Sequence, residues 1–463
     1  CMLFESSRIR LDARSAAAIT EHIGSKMHAA GFQQGDLVAF RPLRSVASAL
    51  MLLGLRRAGV TIVLSDPKQP MEAALQGADT PLPVKAEICQ RDADVFELKW
   101  MNGDGSRETF SLSSMPPVSC PLPLPSPLSP AFVIFTSGTT GKSKAVVLRE
   151  SCLVSNLLDS YPLGDYRRGD RALGCLPLHH VFGLVLLCGA VVLGYSVYFP
   201  EKTDPANLLY AIQEEKLTRM NGVPALYLAL ADRCGPFDLR SLRVGFIGGG
   251  PITPGQFVHL EEKLNMTLIP VYGMSECIGI SCASFTDSQE MRSGGVGRFY
   301  PMNTGRILRE DDTEAEVGEE GEIWVAGPAR MIGYYGRELP GDALFPTGDL
   351  GYLDDNQVLH LTGRKKEIII RNGNNLSLRR IEEALLRLPG VQDAAAVGLP
   401  DEYQGEVPAA MVVAPPSVPL TPDLYKHEMP VLIQRVEKIP LTASGKPDRQ
   451  RIREILAAIR AKA

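Results

Sequence analysis

At 463 residues the chain exceeds what one hydrophobic core usually supports, so two or more domains are expected. Apolar residues make up 45% and charged residues 22%, the proportions of an ordinary globular protein. With 48 basic against 53 acidic side chains, a net charge of −5 and no long basic run or aromatic-basic stripe, no nucleic-acid partner is expected. Nine cysteines without close Cys-x-x-Cys spacing read as reduced thiols of a cytoplasmic protein; Cys277 and Cys282, the nearest pair, read as small buried apolar residues. The start carries no basic-then-apolar leader, so no secretory signal is expected.

Residues 11–31 alternate polar and apolar at helical spacing and stop at Gly31, and 35–40 read as a turn and a strand. A second helix is predicted over 46–57, ending at Ala58-Gly59, followed by a strand over 60–64. Helix, strand, helix, strand is the signature of a doubly wound α/β sheet. From Pro70 to Pro130 the pattern weakens, and 113–130, rich in proline with interleaved Leu and Ser, reads as an extended connector. An apolar run, Phe132 to Phe135, then feeds a loop of Thr, Ser, Gly and Lys, and a second apolar run, Ala145 to Leu148, follows. Such a loop suits phosphate: glycines let backbone N–H groups approach an anion, hydroxyls add donors, and lysine adds charge. It is not a Walker A loop, because the glycine required five residues before Gly141 is Thr136.

The uncharged stretch 181–199 is marginal in length for a membrane span. Gly183, Gly189 and Gly194 punctuate it and 195–199 reads as a buried strand, so a core helix leading to a central parallel strand is predicted, with no integral membrane segment. Gly222-Val223-Pro224 leads into an apolar helix, and a strand over 243–247 ends in Gly248, Gly249 and Gly250. Ligands of open α/β sheets bind beyond the carboxyl ends of the strands, where small residues make room. Residues 321–327 with Gly333-Tyr334-Tyr335 read as a small β-rich piece, and Asp349, between Gly348 and Leu350, as a carboxylate in a turn. A strand over 368–370 and a helix over 381–386, ending near Pro389-Gly390, follow.

The loop Thr136, Ser137, Gly138, Thr139, Thr140, Gly141 and Lys144 resembles the phosphate loop of the adenylate-forming (AMP-binding) superfamily, which contains acyl- and aryl-CoA synthetases, amino-acid adenylation domains and beetle luciferases. Ser143 stands where the superfamily pattern has proline, and Ala145 where it has glycine. Five further motifs follow in the superfamily's order, and the resemblance covers nearly the whole chain. Leu176 to Gly183 is similar to the segment at the mouth of the acyl pocket. His179 stands there where an aromatic is common, and His180 where amino-acid-activating relatives carry aspartate, so an amino-acid substrate is not expected. The resemblance places Gly248, Gly249 and Gly250 at the adenine edge and acyl-pocket wall. Tyr272-Gly273-Met274-Ser275-Glu276 is similar to Tyr-Gly-x-Thr-Glu, which would set Tyr272 on adenine, Ser275 on phosphate and Glu276 on Mg²⁺, a hard cation that prefers oxygen. Asp349 would take the ribose hydroxyls and Arg364 would add a second ribose contact. Lys366 corresponds to the hinge. Gly373 to Leu376 corresponds to a glycine turn facing the site in one domain orientation, with Leu378 and Arg380 replacing the proline and glutamate that usually follow. Pro440, four residues, then Gly445-Lys446 matches the end of the superfamily pattern and makes Lys446 the catalytic lysine.

The resemblance implies an α/β fold with a large N-terminal domain, 1–364, of stacked α/β subdomains plus a β-rich one, and a small mobile α/β C-terminal lid, 365–463. Residues 70–130 and 415–430 look short against that pattern, which implies a reduced N-terminal subdomain and one surface helix fewer in the lid. The implied catalytic set is Lys446, Glu276, Ser275 and His180. The implied activity is that of an acid–thiol ligase: MgATP activates a carboxylic acid to acyl-AMP, and coenzyme A then takes the acyl group. With no charge beyond His179 and His180 in the pocket motifs, a fatty or aryl acid is expected. Two alternatives stay open: a carrier-protein pantetheine as acceptor, and a nucleotide-binding protein without catalysis.

Overall fold

A computed structural model describes residues 2–92, 94–101, 106–112, 124–136, 143–341, 343–372, 374–441 and 447–461. The first predicted helix forms at Ala13–Ala29, where Asp12 caps it by accepting a hydrogen bond from the Ser15 N–H. The second forms at Val46–Arg57 with Ser45 as its cap. Four parallel strands, Val84–Gln90, Leu37–Arg41, Thr61–Leu64 and Pro130–Thr136 in that order, form the centre of a nine-stranded sheet. Antiparallel strands extend both sides. Val95–Trp100 and Arg107–Ser111 lie on one side; Lys144–Arg149, Gly333–Tyr334 and Arg337–Glu338 lie on the other.

Six parallel strands dominate a second nine-stranded sheet: Met2–Glu5, Ser196–Tyr198, Arg171–Leu173, Arg219–Gly222, Val244–Gly248 and Thr267–Tyr272. The predicted core helix occupies Val181–Leu193 and ends at Gly194, whose φ of 77° is left-handed. A Cβ at Gly189 would lie 2.1 Å from the Tyr195 hydroxyl, which itself donates to the Leu186 carbonyl, so this glycine lets the next strand pack on its own helix. Among the described residues no helix is long and apolar enough to cross a membrane. One core joins the two sheets: Phe40 and Ile62 of the first contact it from one side, Phe4 and Val197 of the second from the other, with Met51, Leu52, Leu184 and Leu187 between them.

The β-rich piece is a four-stranded antiparallel sheet of Thr304–Leu308, Gly321–Ala326, Phe345–Leu353 and Leu359–Arg364. Two expectations are corrected here. Gly333-Tyr334 does not belong to it but pairs with Lys144–Arg149 in the first sheet. Asp349 lies inside a strand, not a turn; Gly348 before it, at φ 75°, and a register shift after Leu350 give that strand its irregular course.

After Arg364 a single 3₁₀ turn, Lys365–Glu367, leads into a sheet built only from later residues: Ile368–Arg371, Asn374–Ser377, Asp393–Asp401, Gly405–Val413 and Leu432–Arg435. The helix Leu378–Leu386, capped by Ser377, starts three residues before the predicted bound and buries Leu378, Ile381 and Leu385 against one face. The helix Arg449–Arg460 buries Ile452 and Leu456 against the other. The parallel pair Gly405–Val413 and Leu432–Arg435 would ordinarily be joined by a crossover helix; here the connection contains none, and its Leu420 and Leu424 pack against the sheet instead. The Arg449 guanidinium donates to Glu382 (2.6 Å), to the Ala396 carbonyl (2.6 Å) and to Glu367 (3.0 Å). The predicted connector lies, over 113–123, outside the described residues, as does Gly373.

Candidate active site

Thr136 and Lys144 face each other as the last pair of the antiparallel hairpin made by Pro130–Thr136 and Lys144–Arg149. Ser137, Gly138, Thr139, Thr140 and Gly141 fall between them and lie outside the described residues. Ser143 has a structural reason to stand where proline is usual. Its N–H donates to the Gly77 carbonyl at 2.8 Å and its own carbonyl accepts from Asp79 N–H at 2.9 Å, fastening the returning loop to the end of the helix Met71–Gln76. Proline has no N–H to make the first bond.

The strand Thr267–Tyr272 runs into a tight loop. A Cβ on Gly273 would sit 1.8 Å from the Ile278 carbonyl oxygen, so only glycine fits. Ile278 is left-handed at φ 47°, a costly conformation for a β-branched side chain that marks the loop as held by its surroundings. Ile280 N–H donates to the Tyr272 carbonyl (2.8 Å) and closes the loop, which carries half-buried Ser275 and buried Glu276. Beside it in the sheet, Gly248 packs on Val271, where a Cβ would be 2.6 Å from the carbonyl oxygen; Gly249, at φ 80°, and Gly250 are exposed beyond the strand end.

Tyr272 and Asp349, 77 residues apart, form the first cluster. The Tyr272 hydroxyl donates to one Asp349 oxygen at 2.6 Å, and Arg364 Nε lies 2.8 Å from the other. The Asp349 N–H donates to the Thr347 hydroxyl, which donates to the Ile323 carbonyl. Asp349 is 5% exposed, so the acceptor is buried, oriented and paired before any ligand arrives. Burial, and then the Asp349 carboxylate, raise the Tyr272 phenol well above its ordinary pKa, so it remains a donor.

Glu276 forms the second cluster, with two residues not brought together by the sequence reading. One of its oxygens accepts from the Tyr334 hydroxyl (3.1 Å), and Lys144 Nζ sits 4.6 Å from the centre of the Tyr334 ring. The Gly333-Tyr334-Tyr335 run was visible in the sequence, but its pairing with the strand after the phosphate loop was not.

His180 stands at the N-terminus of the helix Val181–Leu193, its ring 4.3 Å from that of His179. Burial, and then His180, lower the His179 pKa to about 4, so it is neutral at pH 7; its buried Nδ1 has no hydrogen-bond partner among the described residues. Lys366 lies in the 3₁₀ turn after Arg364. Lys446 is outside the described residues; the chain resumes at Pro447, followed by the Asp448-capped last helix.

Loops beyond the parallel strands, with a β-rich sheet closing over them and a smaller α/β sheet following, define a two-part α/β enzyme of the adenylate-forming fold. Residues 4–335 match the AMP-binding enzyme family and 380–446 its C-terminal domain. The chain belongs to this family. It is similar to the acyl-CoA ligase sidI of Aspergillus fumigatus, 34% identical over 363 residues, covering 70% of this chain and 61% of that protein. A sulfoacetate–CoA ligase of Cupriavidus necator is 30% identical over 93% of this chain and 89% of its own length. An indoleacetate–CoA ligase of Aromatoleum aromaticum is 32% identical over 70% and 68%. Among solved structures, ATP-bound MatB from Rhodopseudomonas palustris superposes with a TM-score of 0.84 at 23% identity, covering 99% of this chain and 96% of that one. o-Succinylbenzoate CoA synthetase (MenE) from Bacillus subtilis does so at 0.81 and 24%, covering 97% and 95%.

Proposed function

We propose that the chain activates an apolar carboxylic acid, fatty or aryl, as its adenylate and transfers the acyl group to coenzyme A. The observation that carries this reading is the one loop, 272–276, that brings a tyrosine to Asp349 and a buried carboxylate to Tyr334, which pairs with the strand following the phosphate loop. In the first half-reaction a carboxylate oxygen of the acid attacks the α-phosphorus of ATP; the bond to the bridging oxygen breaks and pyrophosphate leaves. Asp349, with Arg364 beside it, accepts the ribose hydroxyls. The faces of Tyr272 and of Gly248 to Gly250 bound the base. The loop 136–144, Ser275 and Lys446 hold the phosphates, where negative charge moves to the leaving oxygen. In the second half-reaction the thiol sulfur of coenzyme A bonds to the acyl carbon, AMP leaves with the electron pair, and the thiol proton passes to solvent.

Glu276 fits a magnesium role. It is buried, has a single hydroxyl on one oxygen, and belongs to no cluster of three or more metal-binding side chains among the described residues. Mg²⁺ is ordinarily bound through one or two carboxylates plus substrate phosphates rather than in an all-protein cage. When bound, it would neutralise phosphate charge.

Residues 1–364 are read as the nucleotide-binding domain and 365–463 as a lid turning near Lys366. The uncharged lining of Leu176 to Phe182, apart from His179 and His180, supports an apolar acid, and the indoleacetate relative favours an aryl one. The relatives' CoA-ligase names favour coenzyme A over a carrier-protein thiol. Seven described cysteines are free, which supports a cytoplasmic location. Pyrophosphate release, measured over fatty and aryl acids and sulfoacetate with and without coenzyme A, tests the reading. Release should depend on an aryl or fatty acid, thioester should form only with coenzyme A, and Lys446→Ala should lower release by about 10²–10³-fold. Acid-independent ATP cleavage, or wild-type release from Lys446→Ala, would overturn it.

A further inference from the structure

The residues proposed to bind phosphate and magnesium sit on two different sheets, and one short strap fastens them together. Met331 N–H donates to the Glu276 carbonyl at 2.7 Å, while Ile332 N–H and Tyr335 N–H donate to the Val147 and Ala145 carbonyls at 2.9 and 2.8 Å. The strap is thus bonded on one side to the loop carrying Glu276 and on the other to the strand that Lys144 begins. Tyr334 sits in its middle, opposite Val146 in the antiparallel register. Its hydroxyl reaches Glu276 and its ring face carries the Lys144 ammonium.

Lys144 and Glu276 are opposite charges that both contact Tyr334, yet no ion pair joins them among the described residues. A direct pair would be counterproductive: the ammonium would be withdrawn from phosphate and the carboxylate from the cation. An aromatic ring between them removes the conflict. Its electron-rich face attracts the cation without neutralising it, and its hydroxyl fixes one carboxylate oxygen, leaving the other for a cation.

We propose that Tyr334 is a positioning residue that keeps Lys144 and Glu276 apart and oriented, so that together they accept a polyphosphate carrying a divalent cation. The inference rests on the reading of Lys144 and Glu276 given above. It makes the tyrosine's two ends separable. The hydroxyl serves the metal-binding carboxylate; the ring serves the phosphate-binding lysine.

Equilibrium binding of ATP, measured by calorimetry without any acid substrate, reads both ends independently of turnover. In Mg²⁺, Tyr334→Phe should bind ATP about tenfold more weakly than wild type, while its affinity for ATP in EDTA stays within about twofold. Tyr334→Leu should weaken both, because the freed ammonium can swing onto Glu276. Adding Glu276→Gln to Tyr334→Leu should then restore the affinity for metal-free ATP, a rescue that a merely structural tyrosine would not permit. Thermal melting of each variant establishes that it is folded. Wild-type protein that fails to bind ATP at all would overturn both this inference and the proposed function. Wild-type binding with an unchanged magnesium advantage in Tyr334→Phe, or no rescue by Glu276→Gln, would overturn this inference alone.

Discussion

Replacing Asp349 by alanine should destabilise the protein even when no nucleotide is present, because the carboxylate is already engaged. The change deletes the acceptor of the Tyr272 hydroxyl, a group only 7% exposed as a residue and unable to turn to bulk water. Leaving such a donor unpaired costs about 1–3 kcal/mol. Arg364 loses its partner too, but its side chain is 52% exposed and regains water, adding about 0–1 kcal/mol. Asp349→Asn keeps an oxygen for Tyr272 and should lose about half as much. Tyr272→Phe removes the donor, and in the double variant with Asp349→Ala the two costs should fall short of their sum by about 1–2 kcal/mol. The assay is urea unfolding followed by fluorescence. The chain has two tryptophans. Trp324 faces Pro346 in the strand that carries Asp349, so it reports the right sheet. Trp100, stacked on Phe32 at 4.8 Å, is silenced by Trp100→Phe, which keeps the stacking. A wild-type midpoint for Asp349→Ala, or strictly additive losses in the double variant, would refute the argument.

Gly273→Ala should cost about 1–3 kcal/mol and weaken ATP binding, since its Cβ collides with the Ile278 carbonyl backbone; unaltered melting and ATP affinity would contradict the account of that loop. His179 titrates near 4 in the folded protein against 6.5 ordinarily, so between those values the unfolded chain holds more protons. Stability should therefore fall as pH drops from 6.5 to 4, by up to about 3 kcal/mol from this group, and His179→Gln should flatten that slope in urea midpoints. Lys366→Pro, by fixing φ and removing an N–H in the turn after Arg364, should leave acyl-AMP formation usable but slow its transfer to coenzyme A; a quenched-flow burst followed by normal thioester turnover would place the hinge elsewhere.

Local signals carried the first helices and strands. Gly31, Gly59 and Gly194 all adopt positive φ just past a helix, a conformation that costs glycine less than any other residue, whereas the left-handed caps Lys216 and Asn265 gave no such signal. The strand Val84–Gln90 was hidden in the sequence for a physical reason. Glu87 is buried in it, where its pattern suggests solvent, because Arg41 reaches it from the neighbouring strand at 2.8 Å. An ion pair between distant residues hides the alternation that would have betrayed the strand. The same limit applied at the site. The motifs named Tyr272, Glu276, Asp349 and Arg364, but the Tyr272–Asp349 bond and the placement of Tyr334 between Lys144 and Glu276 depend on pairings across sheets. Ser143 read as a departure from a pattern, and only the bond from its N–H to Gly77 explains it.

The Arg449 guanidinium has a mechanical consequence. It bonds Glu367, which closes the 3₁₀ turn, and it opens the helix that follows Lys446, although the two residues are 82 apart in sequence. Glu382, 8% exposed, grips the same guanidinium from the helix Leu378–Leu386. If the lid proposed above turns at Lys366, these bonds would carry Pro447 to Arg449 with Glu367 as a crank turns with its shaft. Loosening that clamp would then let the proposed turn and the movement of the chain end that follows residue 446 become separate events in time.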